Sequence, residues 1–160
     1  MKNPLNIIIV VVVLGATRLV ATPTAADGPP AATYKTETEL LGALAAGSAT
    51  PDMLTSAVSN ADRHRINVVR RTKAAGAIAH DGFAELHHII EGSATLVTGG
   101  TIVRRTARGA GAAGEPATIE NGVRRRVTKG DVILIPAGLP HWYTDLDGRI
   151  TYLEVRWEEK

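Results

Sequence analysis

The sequence predicts an all-β barrel or sandwich with a short helical extension on its N-terminal side. Three observations lead there. From Ile66 onward the chain falls into short runs (INVVRRT, AELHHIIEG, SATLVTGG, TIVRRT, GVRRRVT, DVILIPAG, HWYTDL and RITYLEVRW), nearly all separated by Gly, Pro or Asp. Many short strands with turn signals between them, and little helix, are the pattern of such folds. The last run alternates cleanly: Thr151, Leu153, Val155 and Trp157 share one face, and Tyr152, Glu154 and Arg156 share the other, as a strand period of two requires. No internal repeat is long enough to suggest a solenoid.

The N-terminal residues do not read as part of that core. MKNPLN is followed by a continuous apolar run, Ile7 to Ala16, and then by the small, polar TRLVATPTAAD. A basic start, a short apolar run and a small-residue exit make a secretory signal peptide. The run is well short of the roughly 20 residues a spanning helix needs. Cleavage is expected near Ala26, which gives a leader over residues 1–26, a secreted or periplasmic product and no stable membrane span. Loss of Lys2 and Arg18 leaves sixteen basic and sixteen acidic side chains. That balance argues against a nucleic-acid partner. The chain has no cysteine, so disulfide and thiolate chemistry are excluded.

Residues 27–62 form the expected extension. In TETELLGALAAG, Leu40, Leu41 and Leu44 recur at helical spacing behind Thr36 or Thr38 as caps. PDMLTSAVSN, after Pro51, allows a second short helix. The barrel is expected over residues 63–160.

Two constellations carry chemistry. In ELHHIIEG, alternation puts Glu85, His87 and Ile89 on one face and Leu86, His88 and Ile90 on the other. A barrel interior facing Glu85 must compensate a buried carboxylate, and imidazoles with a metal cation would do so. His80 precedes Asp81-Gly82, a turn signal, so parity does not extend to it. The second constellation is KGDVILIPAGLPHWYTD. There Gly130-Asp131 turns into a buried strand, and Pro136, Gly138 and Pro140 deliver His141 on a stiff backbone, which suits a ligand of fixed orientation.

These stretches resemble the two motifs of the cupin superfamily, G-x5-H-x-H-x(3,4)-E-x6-G and G-x5-P-x-G-x2-H-x3-N. Gly130, Pro136, Gly138 and His141 match the second, with Asp145 where Asn is usual. His80, Glu85 and Gly92 match the first in part, with Ile78 in place of its first His. The resemblance covers roughly Val68 to Trp157 and implies a cupin jelly-roll barrel. It implies a metal site on His80, Glu85 and His141, where His87 could replace the ligand missing at Ile78. The ion would be Fe, Mn, Zn or Ni, because two His and one carboxylate leave open positions on several divalent ions. Homodimers are a further implication of the resemblance. Tyr143, on the face of His141, is expected in the substrate pocket.

Three functions remain open at this point. One is a metalloenzyme acting on a small organic molecule as a dioxygenase, isomerase or lyase. The second is a metal-free module that binds a small molecule or sugar without turnover, and the third is a dimerisation scaffold. Other signals are weaker. GAGAAG, Gly109 to Gly114, fits the dinucleotide pattern literally, but no helix opens after it, so it reads as a loop. Ser93 reads as a turn residue, His88 and His64 as solvated, and Arg104 or Arg125 as possible inward-facing cations.

Overall fold

Thr36 sets the first element. The Glu39 backbone N–H donates to the Thr36 hydroxyl oxygen at 3.2 Å, and the Thr36 N–H donates to the Glu39 carboxylate at 2.7 Å. This reciprocal capping box starts helix α1, Glu37–Ala43, which runs on into a 3-10 turn at Leu44–Ala46. The computed structural model describes residues 32–60, 63–104 and 115–159. The expected leader over residues 1–26 and the Gly109 to Gly114 loop lie outside the described residues. No helix among the described residues is long and apolar enough to cross a membrane.

Among the described residues ten strands follow: β1 (Ser48–Ala49), β2 (Met53–Asn60), β3 (His64–Arg71), β4 (Phe83–Thr98), β5 (Thr101–Val103), β6 (Thr118–Glu120), β7 (Val123–Thr128), β8 (Val132–Ile135), β9 (His141–Thr144) and β10 (Ile150–Glu158). All pairings are antiparallel. β1, β2, β3 and β10 lie side by side, and β10 pairs with the first part of β4, whose other edge takes β8. Beyond Gly92 the same β4 pairs with β7 and β9. β5 and β6 form a separate ribbon. One strand therefore belongs to both walls of the barrel.

Gly92 makes that possible. The sequence suggested two strands separated there, but the chain bends without breaking. Across β10 the register steps from Tyr152 opposite Ile89 to Thr151 opposite Glu91, leaving Ile90 as the extra residue of a bulge. Gly92 follows at φ 74°, and a Cβ there would collide with the Arg149 carbonyl. Only glycine fits.

PDMLTSAVSN departs further from expectation. It is strand β2, not a second helix, because β3 offers an open edge and pairs with it from Met53–Arg71 to Asn60–Arg65. The β-branched Thr55 and Val58 suit that role, and tertiary pairing overrides a weak helical spacing. The interior then divides by parity. Val69, Ile89, Leu96, Val127, Tyr143 and Tyr152 pack inside the barrel. Val68 and Ile90, their chain neighbours, pack outside against Leu44 of the helical segment, with Leu41, Leu54 and Leu153. Each fully buried aliphatic of this size contributes about 1.5–3 kcal/mol.

Candidate metal centre

Two turns carry the outer side chains of the site. His80 begins a turn in which the Phe83 N–H donates to its carbonyl at 3.2 Å, with Gly82 at φ 74°. Pro136 begins another, in which the Leu139 N–H donates to the Pro136 carbonyl at 3.1 Å, with Gly138 at φ 73°. Glycine at the third position is what a type II turn demands. The Gly138 N–H also donates to the His80 carbonyl at 3.0 Å. That bond ties the two motif loops together and brings His80 and His141, 61 positions apart in the sequence, to one place.

β4 supplies the centre. Glu85 and His87 are each 1 % exposed, whereas His88 is exposed on the opposite face. Glu85 Oε2 lies 3.4 Å from His141 Nε2 and 3.1 Å from His87 Nε2, and its Oε1 lies 3.2 Å from His80 Nε2. The His141 Nδ1–H donates to the Leu139 carbonyl at 3.1 Å. Burial lowers the pKa of His141, and that carbonyl bond opposes the shift only in part. The neutral ring therefore turns the lone pair of Nε2 toward a carboxylate oxygen. Burial likewise lowers His80, with Glu85 opposing. For Glu85, burial favours the neutral acid, but the hydrogen bond from His87 and the nearby Arg156 guanidinium outweigh it and hold the carboxyl at about 2. On the Oε2 side, a His141 lone pair facing an ionised carboxylate in a low-dielectric interior calls for a cation; on the Oε1 side the Arg156 guanidinium, 2.7 Å away, supplies one.

The ligand atoms of His80, Glu85 and His141 lie within 4.8 Å of one another. This donor set of two imidazoles and a carboxylate suits a divalent ion. Glu85 Oε1 also has no aligned hydrogen bond despite its burial. His87 falls into a second group, with Glu85 and Glu154, which shares Glu85 with the first. Its Nδ1 meets the Tyr143 hydroxyl at 3.0 Å. Burial pushes Tyr143 well above its ordinary pKa, so that hydroxyl stays protonated. Tyr143 is 3 % exposed, and with Ile78 and His141 it borders a cavity of about 10 Å³.

Sequence reasoning missed three contributors on β10 and one on β3. Register places Arg156 opposite Glu85, Glu154 opposite His87, and Tyr152 opposite Ile89, with Asn67 across from Glu154 on the other side. Arg156 Nη2 reaches Glu85 Oε1 at 2.7 Å and donates to His80 Nε2 at 3.0 Å. Asn67 Nδ2 donates to Glu154 Oε1 at 2.9 Å. The Tyr152 ring lies 4.5 Å from that of His87, and its hydroxyl oxygen accepts a hydrogen bond from Arg71 Nε at 3.0 Å. The shared face of Tyr152, Glu154 and Arg156 was visible in the alternation; that it points inward was not. A larger cavity of about 680 Å³ is bordered by Leu96, Val127, Ile133, Leu139 and Arg125, and by no member of the His/Glu cluster. Its volume is of small-molecule size, but the chemistry sits in the tightly filled part of the interior.

No family model matches the chain, and no curated protein matches it in sequence. Solved structures do match in shape. KdgF from Halomonas sp. superposes with a TM-score of 0.52 at 11% identity, covering 71% of this chain and 86% of that one. Hydroxypropylphosphonic acid epoxidase from S. wedmorenis gives 0.52 at 14% identity, over 67% of this chain and 51% of the epoxidase. Fe(II)-HppE with an alternative substrate gives 0.52 at 14% identity, over 68% and 51%. The chain thus spans about half the length of the last two. Such neighbours have the cupin fold, and so, on its two antiparallel walls and the strand they share, does this chain: it is a cupin-fold protein with a jelly-roll barrel and one short helix.

Proposed function

We propose that the barrel binds a divalent metal ion through His80, Glu85 and His141 and acts on a small organic molecule, as a dioxygenase, isomerase or lyase. One observation carries the reading. His141, fixed by the Leu139 carbonyl, brings its Nε2 to 3.4 Å from Glu85 Oε2, and the ligand atoms of His80, Glu85 and His141 lie within 4.8 Å of one another. Support of a general kind comes from the shared fold, since one neighbour is a structure of Fe(II)-HppE. When bound, such an ion supplies Lewis-acid polarisation of a substrate oxygen. The chain's own residues do the rest. His87 holds Glu85 in place, the Tyr143 hydroxyl orients His87, and Asn67 orients Glu154. Supporting contacts of this kind position ligands and tune them.

The reading includes export, on the strength of residues 1–26, and a site of action in a periplasm or outside the cell. It also includes pairing into homodimers, on the cupin resemblance. A second reading is a metal-free module that binds a small molecule or sugar, and the Arg156 guanidinium 2.7 Å from Glu85 Oε1 favours it by supplying a cation from the chain itself. The test loads purified protein with Fe(II), Mn(II), Zn(II) or Ni(II) and counts retained metal in the wild type, His141→Ala and Glu85→Ala. Loss of retention in both variants is expected. Retention at the wild-type level in both contradicts the assignment. A small molecule that raises thermal stability without being consumed, in protein that retains no metal, favours the second reading.

A further inference from the structure

Arg156 is a feature of the described interior that the metal reading does not absorb. Its Nη2 donates to His80 Nε2 at 3.0 Å while lying 2.7 Å from Glu85 Oε1. An imidazole nitrogen has a single lone pair. That lone pair can face a guanidinium N–H or a metal ion, and not both at once. The cationic head thus takes the ligand atoms that a divalent ion would need.

Arg156 is also poorly settled where it lies. Its Nε is buried without a hydrogen-bond partner, and its contact with Glu85 Oε1 lacks hydrogen-bond alignment. Arg70 makes the contrast: its Nε donates to Thr151 Oγ1 at 2.9 Å and its Nη2 donates to Glu91 Oε2 at 2.9 Å. A part-buried guanidinium held through one nitrogen forgoes the bidentate geometry that makes arginine pairs strong. A second acceptor is in reach. Glu154 Oε2 lies 3.4 Å from Arg156 Nη2, and the other oxygen of that carboxylate is anchored by Asn67. The two residues sit two positions apart on the same face of β10, so side-chain rotation carries the guanidinium from one carboxylate to the other.

We infer that Arg156 is an internal competitor for the metal site, holding Glu85 and His80 until a divalent ion displaces it onto Glu154. This rests on the metal reading above. The competition sets the affinity of the site: it replaces a bare anionic cavity, open to any cation, with one in which an ion must first remove a tethered charge. Arg156 is a positioning and specificity residue, and the inference concerns binding alone.

Calorimetric titration of the purified protein with Zn(II), and separately with Co(II), tests it. Arg156→Met is expected to bind either ion about tenfold more tightly or better, in the range that changes around metal ligands produce. Glu154→Gln is expected to bind more weakly, because the displaced guanidinium loses its charged acceptor. A merely structural role for Arg156 would weaken binding on its removal, so equal or weaker binding by Arg156→Met overturns the inference. If Arg156→Met does not fold, Glu154→Gln decides alone, and unchanged or tighter binding overturns it. Wild-type binding with no gain in Arg156→Met removes this inference and leaves the metal site standing. No binding by the wild type or by Arg156→Met removes both.

Discussion

Ile78 and His141 face each other across an isolated antiparallel bridge, with the His141 N–H donating to the Ile78 carbonyl at 2.8 Å and the Ile78 N–H donating to the His141 carbonyl at 3.1 Å. The position where the cupin motif has its first His is therefore already beside the second-motif ligand, and both residues border the same small cavity. Ile78→His is expected to add a donor without rebuilding the backbone. Chelator competition should show metal retained about tenfold more strongly. An unchanged competition curve would mean that the bridge does not direct position 78 toward the site.

Glu85 holds the buried charges together. Glu85→Gln leaves the Arg156 guanidinium without its closest carboxylate and exchanges the charged acceptor of His87 Nε2 for a neutral amide. Breaking one partner of a buried pair costs on the order of 3–5 kcal/mol, read as a lower midpoint in urea unfolding. His88→Ala, one residue along on the exposed face of β4, should stay within about 0.5 kcal/mol of wild type. Similar losses in the two variants would refute the division of that strand into inner and outer faces.

Acid should destabilise the metal-free protein. Burial lowers His80 and His141 below their ordinary 6.5, so as pH falls through that value the unfolded chain takes up protons that the folded chain refuses. Glu85, held at about 2 against an ordinary 4.5, adds stability that is complete above 4.5 and is lost as pH falls through about 2. Both effects have the same sign. Unfolding midpoints measured with a chelator present should decline steadily from about pH 6.5 downward. A midpoint that rises on acidification would show that these groups are more easily protonated in the fold than outside it.

Gly92→Ala tests the corner of the barrel. The backbone there has φ 74°, and the added Cβ meets the Arg149 carbonyl. The strain and the clash together should cost more than the roughly 1 kcal/mol of an ordinary glycine replacement. Thermal unfolding reads this directly, and a variant as stable as wild type would mean that β4 bends by another route.

The strand pattern and the motif spacing made the wall of the barrel legible, because burial alternates along a strand and the alternation is written in ELHHIIEG. His87 and His88 separate as that alternation requires. The same logic did not reveal the inner face of β10. Tyr152, Glu154 and Arg156 are the polar side of that strand, and their direction is fixed only by pairing with β4 and β3, far away in the chain. The apolar Leu153 on the other side packs outside the barrel with Leu44. PDMLTSAVSN failed for a related reason: its state depends on an edge of β3 that local spacing does not encode. The grouping of His87 with Glu154, apart from His80 and His141, is likewise a matter of cross-strand register.

Elemental analysis of purified protein after metal supplementation and desalting tests the central claim most directly. Roughly one equivalent of a divalent metal per chain is the result expected of a site whose ligands are assembled by the fold. Less than about a tenth of an equivalent, in protein that is folded by circular dichroism, would contradict it.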